Sequence, residues 1–106
     1  MYVAGKATLN YLFERYMDTK YNLRENTKVN YNYMYDNYVR NTIGKRLIAD
    51  IKYSDIVYFY KSLITEKGLE LNTVDTIHTV IHPVFSMAVR DDVIRKIQLV
   101  EVLADN

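Results

Sequence analysis

An all-α chain folded as a compact four-helix bundle is what this sequence predicts, and three observations carry the expectation. Apolar residues recur at spacings of three and four in several separate stretches. Polar segments with good helix-capping residues (Thr8, Thr27, Ser54, Asn72) stand at the front of those stretches. A length of 106 residues leaves room for one core and not for two.

The first helix is predicted from about Thr8 to Lys20. Thr8 caps it, and Leu9, Leu12, Phe13, Tyr16 and Met17 trace one stripe. Tyr21 to Glu25 reads as a loop, with Asn22 stopping the helix. The second helix is expected from Asn26 or Thr27 to about Val39, with Thr27, Tyr31, Met34 and Tyr38 inward. Val29, Asn32, Tyr33 and Asp36 then face outward. Alternation through Val29, Tyr31, Tyr33 and Tyr35 also fits a strand. Helix is preferred, because Met34 and Tyr38 continue the helical period and a lone strand has no mate.

Gly44 is expected to end the next segment, followed by Lys45 and Arg46. Leu47, Ile48 and Ile51 form an apolar connector that tucks into the core. Ser54 caps the third helix in this reading, with Asp55 in its first turn and Tyr53 stapled against the following turn. Its buried stripe is Ile56, Phe59, Tyr60 and Leu63, and Gly68 closes it.

The fourth helix, Asn72 to Arg90, has the cleanest periodicity. Val74, Ile77, Ile81, Val84, Phe85 and Ala88 share one side, while Asp75, Thr76, Thr79, Ser86 and Arg90 share the other. Asn72 is the expected cap, with Asp75 in the first turn. Pro83 removes the N–H that would bond the Thr79 carbonyl, which predicts a kink or a break. Residues 1–96 are read as one domain. Residues 97–106, with Ile97, Leu99, Val100, Val102 and Leu103, are an apolar tail that reads equally as a last helix or as a truncated element.

Composition narrows the function classes. Cysteine is absent, which removes disulfides, thiolate metal sites and cysteine nucleophiles together. No long apolar run argues for a signal peptide or a membrane span, so a cytoplasmic protein without a membrane partner is expected. The overall charge is +1, but residues 1–61 hold ten Lys or Arg against six Asp or Glu, and residues 62–106 hold four against seven. The front half is therefore +4 and the rear −3, a balance that permits phosphate contacts without proving them. Eleven tyrosines suit core edges and binding surfaces alike.

Catalytic patterns are missing. His78 and His82 stand four apart on a helix, yet Thr79, Val80 and Ile81 between them leave out the glutamate of a zinc hydrolase, and no third ligand is evident. The pair reads as helix-flank histidines. Asp91 and Asp92 read as turn residues, because adjacent side chains point apart on a helix. There is no phosphate-binding glycine loop and no serine elbow. No metal, cofactor or enzymatic activity is expected.

A set of ordered pieces carries a resemblance. Leu9 to Tyr16 is followed by Thr27-Lys28-Val29-Asn30-Tyr31, then by Ile43-Gly44-Lys45-Arg46-Leu47-Ile48 and Ile51-Lys52-Tyr53-Ser54-Asp55-Ile56. Asn72-Thr73-Val74 and the run Phe85 to Ile94 complete it. In this order the chain, from about Thr8 to Arg95, resembles the N-terminal SAM-like, core-binding domain of phage-type tyrosine recombinases (integrases). The resemblance implies a helical bundle that clamps one face of duplex DNA at a recombination site. A separate catalytic domain would stand on the other face, and further recombinase protomers are possible partners. DNA would be met by the starts of the second and fourth helices and by nearby basic loops. Carried onto this chain, those positions are Arg24, Thr27, Lys28, Asn72, Thr73 and Thr76, with Lys45 and Arg46 as loop cations. Helix N-termini offer free amide donors to phosphate, which agrees with the implied positions. The family's catalytic Arg, Lys, His-x-x-Arg and tyrosine carry over to no residue here, and Tyr31 and Tyr38 read as core. The Asn-Pro that usually follows the family's fourth helix is replaced by Lys96-Ile97-Gln98.

Overall fold

Hydrophobic periodicity and local capping account for most of the architecture in the computed structural model, which describes residues 6–94. The described residues form α1 (Leu9–Thr19), α2 (Glu25–Tyr38), α3 (Tyr53–Thr65) and α4 (Leu71–Arg90). Two 3-10 turns, Ile43–Lys45 and Ile48–Asp50, lie between α2 and α3. No strand forms among the described residues; an isolated antiparallel bridge joins Thr8 to Leu47. Through it the Leu9 N–H donates to the Arg46 carbonyl and the Ile48 N–H to the Ala7 carbonyl, at 3.0 and 2.9 Å. That stitch draws the connector across the start of α1. The apolar tail and the proposed boundary at residue 96 lie outside the described residues.

Three helices bury the stripes their sequences dictate. On α1, Leu9, Leu12, Phe13 and Tyr16 are buried, and the Thr8 hydroxyl caps the helix by accepting from the Tyr11 N–H at 3.1 Å. On α3, Ile56, Phe59, Tyr60 and Leu63 are buried, and Gly68 takes the left-handed conformation (φ 69°) after the helix end. On α4, Val74, Ile77, Val80, Ile81, Val84, Phe85 and Ala88 are buried. The whole core is apolar, with no polar or charged residue fully buried among the described residues.

Pro83 does not break α4, which runs from Leu71 to Arg90 with the proline inside it. The missing N–H and the ring clash cost about 3 kcal/mol. Val80, Ile81, Val84 and Phe85 on either side are each fully buried, worth about 1.5–3 kcal/mol apiece. Packing wins. Past the helix, Asp92 adopts φ 60° and the Val93 N–H returns to the Ala88 carbonyl at 2.8 Å, so the Asp91-Asp92 pair makes the expected turn.

Helix starts and the inner face of α2 differ from the sequence reading. α2 begins at Glu25, so Thr27 is its third residue and not its cap. α3 begins at Tyr53. Its first turn is closed by Asp55, whose carboxylate accepts from the Lys52 N–H at 2.9 Å, and Ser54 caps nothing. The same bond, with the Arg46 guanidinium adding to it, holds the Asp55 carboxyl below its ordinary range. α4 begins at Leu71 with Glu70 at the cap position, which leaves Asp75 beyond the first turn. Gly44 lies within a 3-10 turn and ends no segment. A Cβ there would overlap Asn10 Oδ1 and stand 2.8 Å from the Val39 carbonyl oxygen, so only glycine fits the approach. On α2 the fully buried tyrosine is Tyr35, while Tyr31 and Tyr38 only border the core. Tyr35 stacks on Phe13 with ring centroids 3.8 Å apart and 3° between planes, and its hydroxyl donates to Asn10 Oδ1 at 2.7 Å.

Candidate functional site

The eight residues singled out for nucleic-acid contact fall into three groups. Arg24, Thr27 and Lys28 occupy the start of α2, with Arg24 exposed and the other two half-buried. Lys45 and Arg46 end the first 3-10 turn, both exposed. Asn72, Thr73 and Thr76 lie on the first two turns of α4, with Asn72 exposed and the threonines half-buried. Among the described residues, no hydrogen bond or ion pair links one group to another.

Local chemistry separates the four helix starts into two kinds. α1 is capped by the Thr8 hydroxyl, and at the start of α3 the Asp55 carboxylate accepts from the Lys52 N–H and sets a negative charge against the helix end. α2 and α4 carry no side-chain cap, Arg24 and Glu70 being extended residues that contribute only their carbonyls. The Lys28 N–H bonds the Arg24 carbonyl at 3.0 Å, which leaves the preceding amides of α2 without a partner in the helix. On α4 the Thr73 and Val74 N–H groups both turn to the Glu70 carbonyl, at 3.0 and 3.2 Å. Neither junction is buried. Exposed amide donors at a positive dipole end are what an anion binds.

Two candidates are engaged within the chain. Arg46 pairs with Asp55 at 3.2 Å and donates to the Asp50 carbonyl at 3.1 Å, which fixes the connector against α3. Thr76 donates its hydroxyl proton to the Asn72 carbonyl at 3.1 Å, so its oxygen is left as an acceptor, which a phosphate does not recognise. Sequence reasoning also missed two acids, Glu25 in the first turn of α2 and Glu70 at the cap of α4. Each opposes an approaching phosphate. Both were visible as letters, but the helix starts were set too late and left them in loops.

His78 and His82 stand with ring centroids 5.4 Å apart, and the Tyr60 hydroxyl lies 2.9 Å from His78 Nδ1. Among the described residues no three metal-ligating side chains of the His, Cys, Asp and Glu class gather in one place. Burial lowers the His78 pKa, the neighbouring His82 adds to this, and Asp75 opposes it. The folded state therefore holds fewer protons than the unfolded chain just below pH 6.5. Stability is full above that value and falls as pH drops through it toward the lower folded pKa. Thermal melts between pH 7 and pH 5 should show a declining Tm, and His78→Gln should flatten that limb. An equal decline in the variant would assign the effect to other groups.

Comparison with known proteins gives the fold its context. Residues 8–64 match the family model described as phage integrase, N-terminal SAM-like domain. The chain is also similar to solved structures of the Tn1549 transposon integrase in complex with circular-intermediate DNA. For one of these the identity is 25%, the TM-score is 0.78, and the match covers 87% of this chain and 29% of that one. For another the identity is 24% and the TM-score 0.80, covering 89% and 30% of the two chains. The chain thus spans less than a third of the integrases it matches. The curated proteins gave no match.

Proposed function

The chain belongs to the phage integrase N-terminal SAM-like domain family, and from that premise we propose that it binds the duplex DNA of a recombination site for a site-specific recombinase. The starts of α2 and α4 grip the sugar–phosphate backbone, and Arg24, Lys28 and Lys45 supply cations around them. In this reading strand cleavage is the work of a separate catalytic domain of a recombinase, and the described residues only hold the duplex.

The observation that carries the reading is the pair of uncapped, solvent-facing helix starts, in a fold shared with an integrase solved on DNA. Thr27, Asn72 and Thr73 add short polar side chains to the free amides. The reading requires the two starts to share one face of the molecule. Other protomers and the catalytic domain are the further partners it expects. Val57, Tyr58 and Ile64 on α3 and Leu71 at the start of α4, all exposed apolar residues, are available to them.

Titration with duplex DNA tests the proposal. Binding should be weak for one small domain and should fall roughly a hundredfold between about 50 and about 200 mM salt if four phosphates are engaged. Absence of binding even at the lowest salt would reject it. A rise in molecular mass without DNA would instead support a protein-interaction module built on the exposed α3 residues.

A further inference from the structure

Between the end of α1 and the second half of α4 lies an open cleft of about 420 Å³. Lys20 and Arg90 bring two cations to it, and His82 and Ser86 bring polar groups that can donate hydrogen bonds. We propose that this cleft receives a backbone phosphate of the bound DNA, flanked by Lys20 and Arg90. The proposal rests on the DNA-binding reading above and adds a contact outside the two helix starts.

Three features argue for it. Lys20 lies four residues before Arg24, so the cleft is within about 14 Å of the start of α2 along the chain and borders that contact. The Lys20 ammonium is held 5.2 Å from the centre of the Tyr16 ring, which orients it at the cleft. Asp91 is the one acid in the lining, and Arg15 stands 3.9 Å from its carboxylate, which offsets that charge. The apolar parts of the lining, Tyr16, Pro83 and Met87, are interrupted by Lys20, His82, Ser86 and Arg90, a pattern that suits a small anion more than the continuous apolar face of a partner helix. A phosphodiester fits the chemistry better.

The cleft also lies at two helix C-terminal ends, whose carbonyls carry negative partial charge. An anion stays there only while both cations outweigh that field, so binding should depend on each of them. Lys20→Ala and Arg90→Ala are each expected to lower the slope of log affinity against log salt by about one, and the double variant by about two. Ser86→Leu fills the cleft without changing charge, and should weaken DNA binding about three- to tenfold. Lys20→Arg should retain the wild-type slope. Circular dichroism melts identify any variant that has merely unfolded.

Wild-type slope and affinity in a folded double variant would overturn the proposal while leaving DNA binding by the helix starts intact. A slope change without any effect of Ser86→Leu would reduce the two cations to long-range attraction, which also overturns a seated phosphate. An altered molecular mass in the double variant, with DNA affinity unchanged, would make the cleft a protein contact. Failure of the wild-type chain to bind DNA at all would reject the functional reading itself.

Discussion

Replacing Tyr35 with alanine is expected to destabilise the fold by about 3–5 kcal/mol, the range for deleting a buried aromatic ring. A domain of this size has roughly 5–15 kcal/mol in total, so this one change should leave much of the chain near its unfolding midpoint on mild warming. The reason is the number of elements that meet at this ring. It stacks on Phe13 of α1, and the Arg40 guanidinium lies 4.9 Å from its centre. Arg40 in turn bonds Asp36 at 2.7 Å and Glu14 of α1. The Tyr35 hydroxyl holds Asn10, whose amide donates to the Arg40 carbonyl at 3.1 Å, and Asn10 sits against Gly44. Burial pushes the Tyr35 hydroxyl pKa up, so it stays a neutral donor at any ordinary pH. Tyr35→Phe keeps the stack and removes the bond to Asn10, and should cost about 1–3 kcal/mol. Urea unfolding of the two variants separates ring from hydroxyl. A Tyr35→Ala midpoint close to wild type would mean that α2 is held by other contacts.

The contrast between Tyr35 and its neighbours also shows where the sequence was readable. α1, α3 and α4 each carry one run of aliphatic and aromatic residues at helical spacing, and burial follows those runs apart from Met17, which only borders the core, and Val80, which joins the buried face of α4. α2 carries tyrosines at 31, 33, 35 and 38, on both sides of the helix. Spacing alone could not choose among them. The choice is made by partners distant in sequence, Phe13 and Asn10, which no local window includes. Its first two turns bury no residue fully, so the apolar periodicity that fixes a helix face is weak there.

Helix starts were misread for a related reason. Thr27, Ser54 and Asn72 are all good caps by type, and each turned out to lie one to three residues inside its helix. Leu71 and Tyr53 open their helices because the residues before them, Glu70 and Lys52, are extended and present their carbonyls to the first turn. The break expected as one outcome at Pro83 was likewise a local argument, overruled by the stripe around it. For the candidate site, residue types and order were legible, since the resemblance rests on motifs. The engagement of Arg46 with Asp55 and of Thr76 with Asn72 was not, because both depend on where the helices begin.

Reversing Lys28 and Lys45 together is expected to weaken DNA binding by tenfold or more at low salt, on the order of one lost phosphate contact at each site. The salt slope should fall by about two, because two fewer counterions are released for each lost pair of contacts. These residues are the informative ones to change. Neither takes part in an ion pair among the described residues, so Lys28→Glu with Lys45→Glu should leave helical content and Tm near wild type. Arg46 is a poorer probe, since its loss would also strip Asp55 of a partner and mix stability with binding. The acids already at the helix starts sharpen the expectation. Glu25 and Glu70 leave little surplus positive charge near the amides, so the nearby lysines decide whether a phosphate is attracted at all. Electrophoretic titration at two salt concentrations reads both affinity and slope. Intact affinity in a folded double variant would exclude this face as the contact surface, whatever the family fold suggests.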